Sequence, residues 1–164
     1  VALRCGLVFG KNGGAYPVFE KLAKYALAGK QGKGNQYMSV LHEDDFVRAV
    51  QHVLEHRSMG SYNLCIPQPI PNKFFMKLLG AQLKLPFQIP QPEFLVKLGA
   101  KLIRTEAELV LKSRCVVPER LLNEGFQFKF DSCESILNVL GRSYFQSAEN
   151  VSRSAKTGNL LRAS

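Results

Sequence analysis

The sequence lacks most of the features that assign a chain to a class at sight. It has no tryptophan, and its four cysteines, Cys5, Cys65, Cys115 and Cys133, form no C-x-x-C pair. That scatter excludes zinc-ribbon spacing, and with no secretory signal pattern the thiols are expected to be reduced and mostly buried. A cytoplasmic location follows, with any organelle-targeting sequence lying upstream of Val1. No apolar run reaches the roughly 18 residues of a membrane-crossing helix, so no membrane span is expected. Charge of one sign is never concentrated either. Lys and Arg number 22 against 13 Asp and Glu, a net charge of +9, yet no block of five or six like charges occurs. Arg142, Arg153, Lys156 and Arg162 against Glu149 place +3 of the excess in residues 142–164. A generally basic surface accounts for this balance, and no nucleic-acid partner is expected.

What is present is a globular composition. The chain's 164 residues, 46% hydrophobic and 21% charged, are enough to bury a core. It starts with Val rather than Met, and residues 2–9 read at once as a buried strand. The chain is therefore expected to be the later part of a longer protein. Gly10 to Gly14 make a turn, and a helix is expected over 15–28 with Val18, Leu22, Tyr25 and Leu27 inward. After the loop Gly29 to Gly34, residues 36–41 are extended, and Glu43, Asp44 and Asp45 open a helix that Gly60 stops. A strand at 62–66 leads to Pro67, Pro69 and Pro71, and Asn72 is placed to cap a helix over 73–84. Beyond Pro86, Pro90 and Pro92, one or two helices are expected over 93–112, then a short one from Pro118 to about Asn123. Residues 125–130 alternate like a strand, and Asp131 with Glu134 resembles a capping box for a last helix to about Leu140. Residues 142–164, Ser-rich and without periodicity, read as a disordered tail. The order is β-α-β-α-β to residue 66, then mainly helical with one late strand: an α/β chain with a small lobe.

Chemical motifs are sparse. Neither glycine loop fits G-x-x-x-x-G-K-[ST], and no G-x-G-x-x-G lies between a strand and a helix. Their backbone N–H groups, with Lys30 or Lys33, are the remaining route to a phosphate; plain turns explain them as well. His52 to His56 spell H-x-x-E-H, which puts two imidazoles one helical turn apart as zinc requires. A third ligand is not evident, and a solvent-facing helix flank is the simpler reading. His42 beside Glu43, Asp44 and Asp45 is the densest titratable cluster, suited to proton transfer or to a fixed hydrogen bond. No G-x-S-x-G nucleophile and no Tyr-x-x-x-Lys pair occurs. Phe126, Phe128 and Phe130 alternate with polar residues as on a nucleic-acid-binding strand, but a strand with one face on the core is the simpler reading. The Leu95 to Leu111 stretch, with Lys97, Lys101, Arg104 and Lys112, reads as a packed helix with snorkelling lysines rather than a membrane-surface one.

Taken together, several segments resemble the epimerase-like group of extended short-chain dehydrogenase/reductases, which carry an extra C-terminal domain. Leu3 to Ala15 is similar to L-R-x-G-V-V-L-G-x-x-G-G-A, Gly32 to Gln36 to G-x-G-x-Q, and Leu41 to Asp45 to I-H-x-x-D. Pro69 to Met76 resembles P-x-x-N-x-x-F-M, Val117 to Leu122 resembles P-x-x-L, and Gly125 to Phe128 resembles G-F-x-F. The pieces stand in family order over residues 2–141.

The resemblance implies the C-terminal part of a Rossmann-like parallel sheet in residues 1–66, the appended domain in 67–141, and a tail at 142–164 without counterpart. It implies an intact protein that binds NADP or NAD and acts on a small substrate, a sugar-like one among the candidates, as an epimerase or oxidoreductase. The dinucleotide fingerprint and catalytic core would lie upstream, in an N-terminal part that is this segment's partner, so the segment alone is expected to bind no cofactor. Arg4, Gly6 and Gly10 are implied at the cofactor; Gly14, Gln36, His42 and Asp45 are implied on the substrate side or in a structural role, with a carboxylate fixing the helix start. Val40 replaces the family's aromatic, Cys115 replaces an expected basic residue, and Leu7 stands where many nucleotide-sugar epimerases carry Asn. The competing expectation is a non-catalytic ligand- or partner-binding module of the same fold.

Overall fold

The computed structural model describes residues 1–25, 27–57, 59–94, 96 and 113–141. Parallel strand pairs alternate with helices, as the hydrophobic periodicity requires. The first strand runs as β1 (Ala2–Cys5) and β2 (Leu7–Phe9), broken at Gly6. Then come α1 (Tyr16–Lys24), β3 (Tyr37–Met38), β4 (Val40–His42), α2 (Glu43–Glu55) and β5 (Ser61–Leu64). The chain continues through β6 (Ile70–Pro71), α3 (Asn72–Gln82), α4 (Glu119–Asn123) and α5 over 133–141. β1 pairs in parallel with β5, β2 in parallel with β4, and β3 antiparallel with β6.

Two clusters of buried side chains hold these elements. The larger joins Phe9 of β2, Phe19 of α1 and Phe75 of α3 with Phe130, Ile136 and Leu137. The smaller packs Leu41, Ala49, Val53, Tyr62 and Leu64 against Leu121 and Phe126. Burial of these apolar surfaces is the main stabilising term, at about 25 cal/mol per Å² removed from water. Burial also pushes the Cys65 thiol up to about 11 and the Cys133 thiol up to about 12, so both are protonated packing groups.

Several elements differ from their sequence expectation, each for a packing reason. The inward face of α1 is Tyr16, Phe19 and Ala23, while Val18 and Tyr25 are exposed. Val18, Leu22 and Tyr25 have helical spacing as Tyr16, Phe19 and Ala23 do; Phe19 wins because its ring meets Phe9 and Phe75 at 5.8 and 5.0 Å. Asn72 is not a cap. Its side chain is buried, accepting from Gln31 N–H at 2.8 Å and donating to Gln31 Oε1 at 3.0 Å. The first α3 amides donate instead to loop carbonyls, Asn72 N–H to Gln36 and Lys73 N–H to Gly34. At the start of α5 the reciprocal pair is Ser132 and Ser135 rather than Asp131 and Glu134. The late strand expected at 125–130 has no ladder. Its Phe126 and Phe130 do point inward, but the amides of Lys129 and Phe130 bond to the Asp45 carboxylate, not to a neighbouring strand. The helices expected over 93–112 fall largely, and the tail at 142–164 wholly, outside the described residues.

Candidate functional site

The site begins at Gly6, where the first strand changes partners. Gly6 N–H still bonds to Leu64 of β5 at 2.9 Å, and Leu7 N–H already bonds to the Ser39 carbonyl at 2.8 Å. β4 thus enters beside β2, and Ile66 N–H bonds to Val40 on its other side. Gly6 passes so close to Ser39 that a Cβ would overlap its carbonyl. Gly6→Ala should therefore cost about 1–3 kcal/mol in thermal unfolding, as overpacking against backbone does. A change within error would show that the strands part there without constraint.

A cavity of about 510 Å³ opens beside this fork, lined among others by Arg4, Cys5, Gly6, Ser39, Asn63 and Arg114. Arg114 arrives from a segment strapped across the strands. Its N–H bonds to the Tyr37 carbonyl at 2.9 Å, and Ser39 Oγ donates to its carbonyl at 2.7 Å and accepts Val116 N–H at 3.1 Å. Asn63 Nδ2 donates to Val117 O at 3.2 Å, and the Cys65 thiol to Val116 O at 3.2 Å. Desolvation raises the Cys5 thiol, so the cavity wall carries no activated thiolate.

The implied site residues do not all meet here. Arg4 and Gly6 line the cavity; Gly10 does not. Gly10 instead lies under the Glu43 carboxylate, which accepts Lys11 N–H at 3.2 Å. Gly14 closes the same turn at φ +68, bridging back to Phe9, with the Val8 carbonyl where a Cβ would go. Gln36 is buried in the α3 loop network, its Nε2 donating to Gln31 O at 2.8 Å. His42 and Asp45 have separate tasks. His42 Nδ1 accepts Asp44 N–H at 3.1 Å, so an imidazole rather than a carboxylate caps α2; its ring rests on Phe130 at 4.2 Å. Burial holds His42 below the ordinary imidazole value, favouring the neutral form that can accept this bond. Asp45 is fully buried and receives Lys129 N–H, Phe130 N–H and the Arg48 guanidinium. The Lys129 ammonium, 2.8 Å away, holds Asp44 below the usual carboxylate range.

His52 and His56 stack at 4.1 Å on the flank of α2, with His56 Nδ1 at the His52 carbonyl. Among the described residues no group of three His, Cys, Asp or Glu is placed to hold a metal. Sequence reasoning missed Arg114, Ser39 and Asn63. Ser39, a hydroxyl inside an otherwise apolar extended run, was the one local signal.

Residues 91–140 match the family described as a domain of unknown function, DUF1731. Over 139 residues the chain is 31% identical to the epimerase family protein SDR39U1 homolog, chloroplastic, of Arabidopsis thaliana, covering 84% of this chain and 39% of that one. It is 27% identical over 141 residues to the epimerase family protein YfhF of Bacillus subtilis, covering 85% and 45%. The chain is a homologue of the epimerase family proteins. It spans less than half the length of these epimerase family relatives. The crystal structure of human epimerase family protein SDR39U1 (isoform 2) with NADPH is similar at TM-score 0.77 and 29% identity, over 85% of this chain and 47% of that one. Bordetella bronchiseptica WbmG in complex with NAD shares the fold at TM-score 0.59 and 19% identity, over 87% and 43%. The α/β architecture is that of the Rossmann-type epimerases. Among the described residues no helix is long and apolar enough to cross a membrane.

Proposed function

We propose that this chain is the substrate-side, C-terminal portion of an NAD(P)-dependent epimerase- or oxidoreductase-like protein acting on a small molecule. The observation that carries the reading is its likeness to the NADPH-bound human relative over most of its own length and about half of the other. Residues 1–66 supply closing strands of the Rossmann-like sheet and 67–141 the appended domain. The remaining Rossmann half is the partner. β1 supports this: its residues are exposed, and β5 is its one ladder neighbour among the described residues. Arg4 and Gly6 face the reacting end, whereas Gly14, Gln36, His42 and Asp45 hold the framework. Four free thiols accord with a reducing compartment such as the cytoplasm, and the Arabidopsis relative's name leaves an organelle as the alternative.

The residues present do not fit the dinucleotide itself. The glycine turn between β2 and α1, Gly10 to Gly14, carries the Glu43 carboxylate where a diphosphate would need bare N–H groups. No hydride step is therefore assigned to this segment. Titrated with NADPH and followed by nucleotide fluorescence, the chain alone should show no binding at about 10 µM. Co-expressed with the N-terminal half of the human relative, it should form a pair that binds. Micromolar binding by the chain alone, or a stable pair that binds no NADPH, would overturn the assignment.

A further inference from the structure

The cavity beside Gly6 is unusual in its charge. Arg4 and Arg114 both line it, and among the described residues no acid lines it and neither guanidinium has a hydrogen-bond or ion-pair partner. Most of its other polar groups are already engaged: the Ser39 hydroxyl with Arg114 O and Val116 N–H, Asn63 Nδ2 with Val117 O, and the Gly6 and Leu7 amides with Leu64 and Ser39; the Tyr37 hydroxyl and the Cys5 thiol add only neutral groups. The free donors of the cavity are therefore chiefly the two guanidiniums. Each offers five N–H groups in a planar fork and no acceptor, which matches a phosphate or carboxylate and nothing cationic. Leu7, Met38 and Val116 make part of the wall apolar. At about 510 Å³ the space far exceeds one phosphate, so it takes a molecule with an anionic end and a less polar body.

We propose that Arg4 and Arg114 form the anion-binding end of the substrate pocket, gripping a phosphate or carboxylate group of the small-molecule substrate. This rests on the substrate-side reading above and adds the substrate's class: an acidic one. The sequence hides the pair because Arg4 is in the first strand and Arg114 is carried in by the Ser39 and Tyr37 contacts, about 110 positions on.

The test uses the 164-residue chain without NADPH, so its outcome is separate from that of the cofactor assignment. Calorimetric titration with inorganic pyrophosphate and, in parallel, with citrate should show saturable binding of at least one; the stronger anion tells phosphate from carboxylate. Arg4→Gln and Arg114→Gln should each weaken it about tenfold, the loss of one charge-assisted pair. Arg114→Lys should recover part of the affinity, because the point charge remains without the fork. Lys77→Gln, an exposed charge outside the cavity, removes the same net charge and should leave binding within about twofold. Circular dichroism should show all variants folded, since among the described residues neither guanidinium has a hydrogen-bond or ion-pair partner to lose. Absence of binding by both anions, or equal weakening by Lys77→Gln and the arginine variants, would overturn the proposal.

Discussion

Asp45→Ala should be among the most damaging single substitutions in this chain, lowering stability by about 2–4 kcal/mol. The carboxylate is fully buried, and its two oxygens are shared among three donors. Oδ1 accepts Lys129 N–H at 2.9 Å and Arg48 Nη1 at 2.6 Å, and Oδ2 accepts Phe130 N–H at 2.8 Å. Alanine leaves two backbone N–H groups without their acceptor, that of buried Phe130 and that of Lys129, and takes one hydrogen-bond partner from Arg48. At about 2–4 °C per kcal/mol for a chain of this size, the thermal midpoint should fall by roughly 10 °C. Asp45→Asn keeps the shape but aims an NH₂ at one of the amide donors, so it should fall between wild type and alanine. Hydrogen exchange localises the effect: the Lys129 and Phe130 amides should lose protection first. A midpoint shift near zero with those amides still protected would mean that Asp45 does not hold the 125–130 segment.

Phe75→Ala should cost a similar amount, about 3–5 kcal/mol, by a different mechanism. Phe75 has no exposed surface, and its ring lies 5.6 Å from Phe9 and 5.0 Å, edge-on, from Phe19. Those three rings belong to β2, α1 and α3, so the cavity left by alanine opens at the junction of the sheet with two helices. Leucine would refill part of it and should lose less than half as much. The urea midpoint should shift with little change in slope, the sign of lost packing rather than of an altered unfolded state. A mild effect of alanine would mean that the three elements close over the gap.

These two residues also show how much could be read in advance. Phe75 was visible as part of an apolar helix, and Asp45 as part of an acidic helix start. The histidine–aspartate spacing pointed to a carboxylate fixing that start, but the structure gives the cap to His42 and sends Asp45 to a segment 84 and 85 positions away. The alternation of Phe126, Phe128 and Phe130 correctly suggested inward side chains and wrongly suggested a strand. Side-chain alternation fixes which way residues point; a ladder also needs a neighbouring backbone, and Asp45 took two of the donors. Of the candidate site, Arg4 and Gly6 were legible from the first strand's resemblance to the epimerase-like pattern, while nothing local marked Arg114.

By itself the sequence determined the type and order of most described elements, the aromatic and aliphatic stock of the core, and kinship with the epimerase family. The first two are written in patterns one to four residues long, the range over which helix and strand periodicity acts, and the kinship in ordered segments from Leu3 to Phe128. Only the tertiary structure decided which face of α1 is buried, what Asp45 and Asn72 bind, and that Arg4 and Arg114 share a cavity. Each of those outcomes depends on which buried donor finds which acceptor, or which ring finds which gap, across long stretches of chain. Local pattern does not encode such pairings, because they form only when the packed elements bring the partners together.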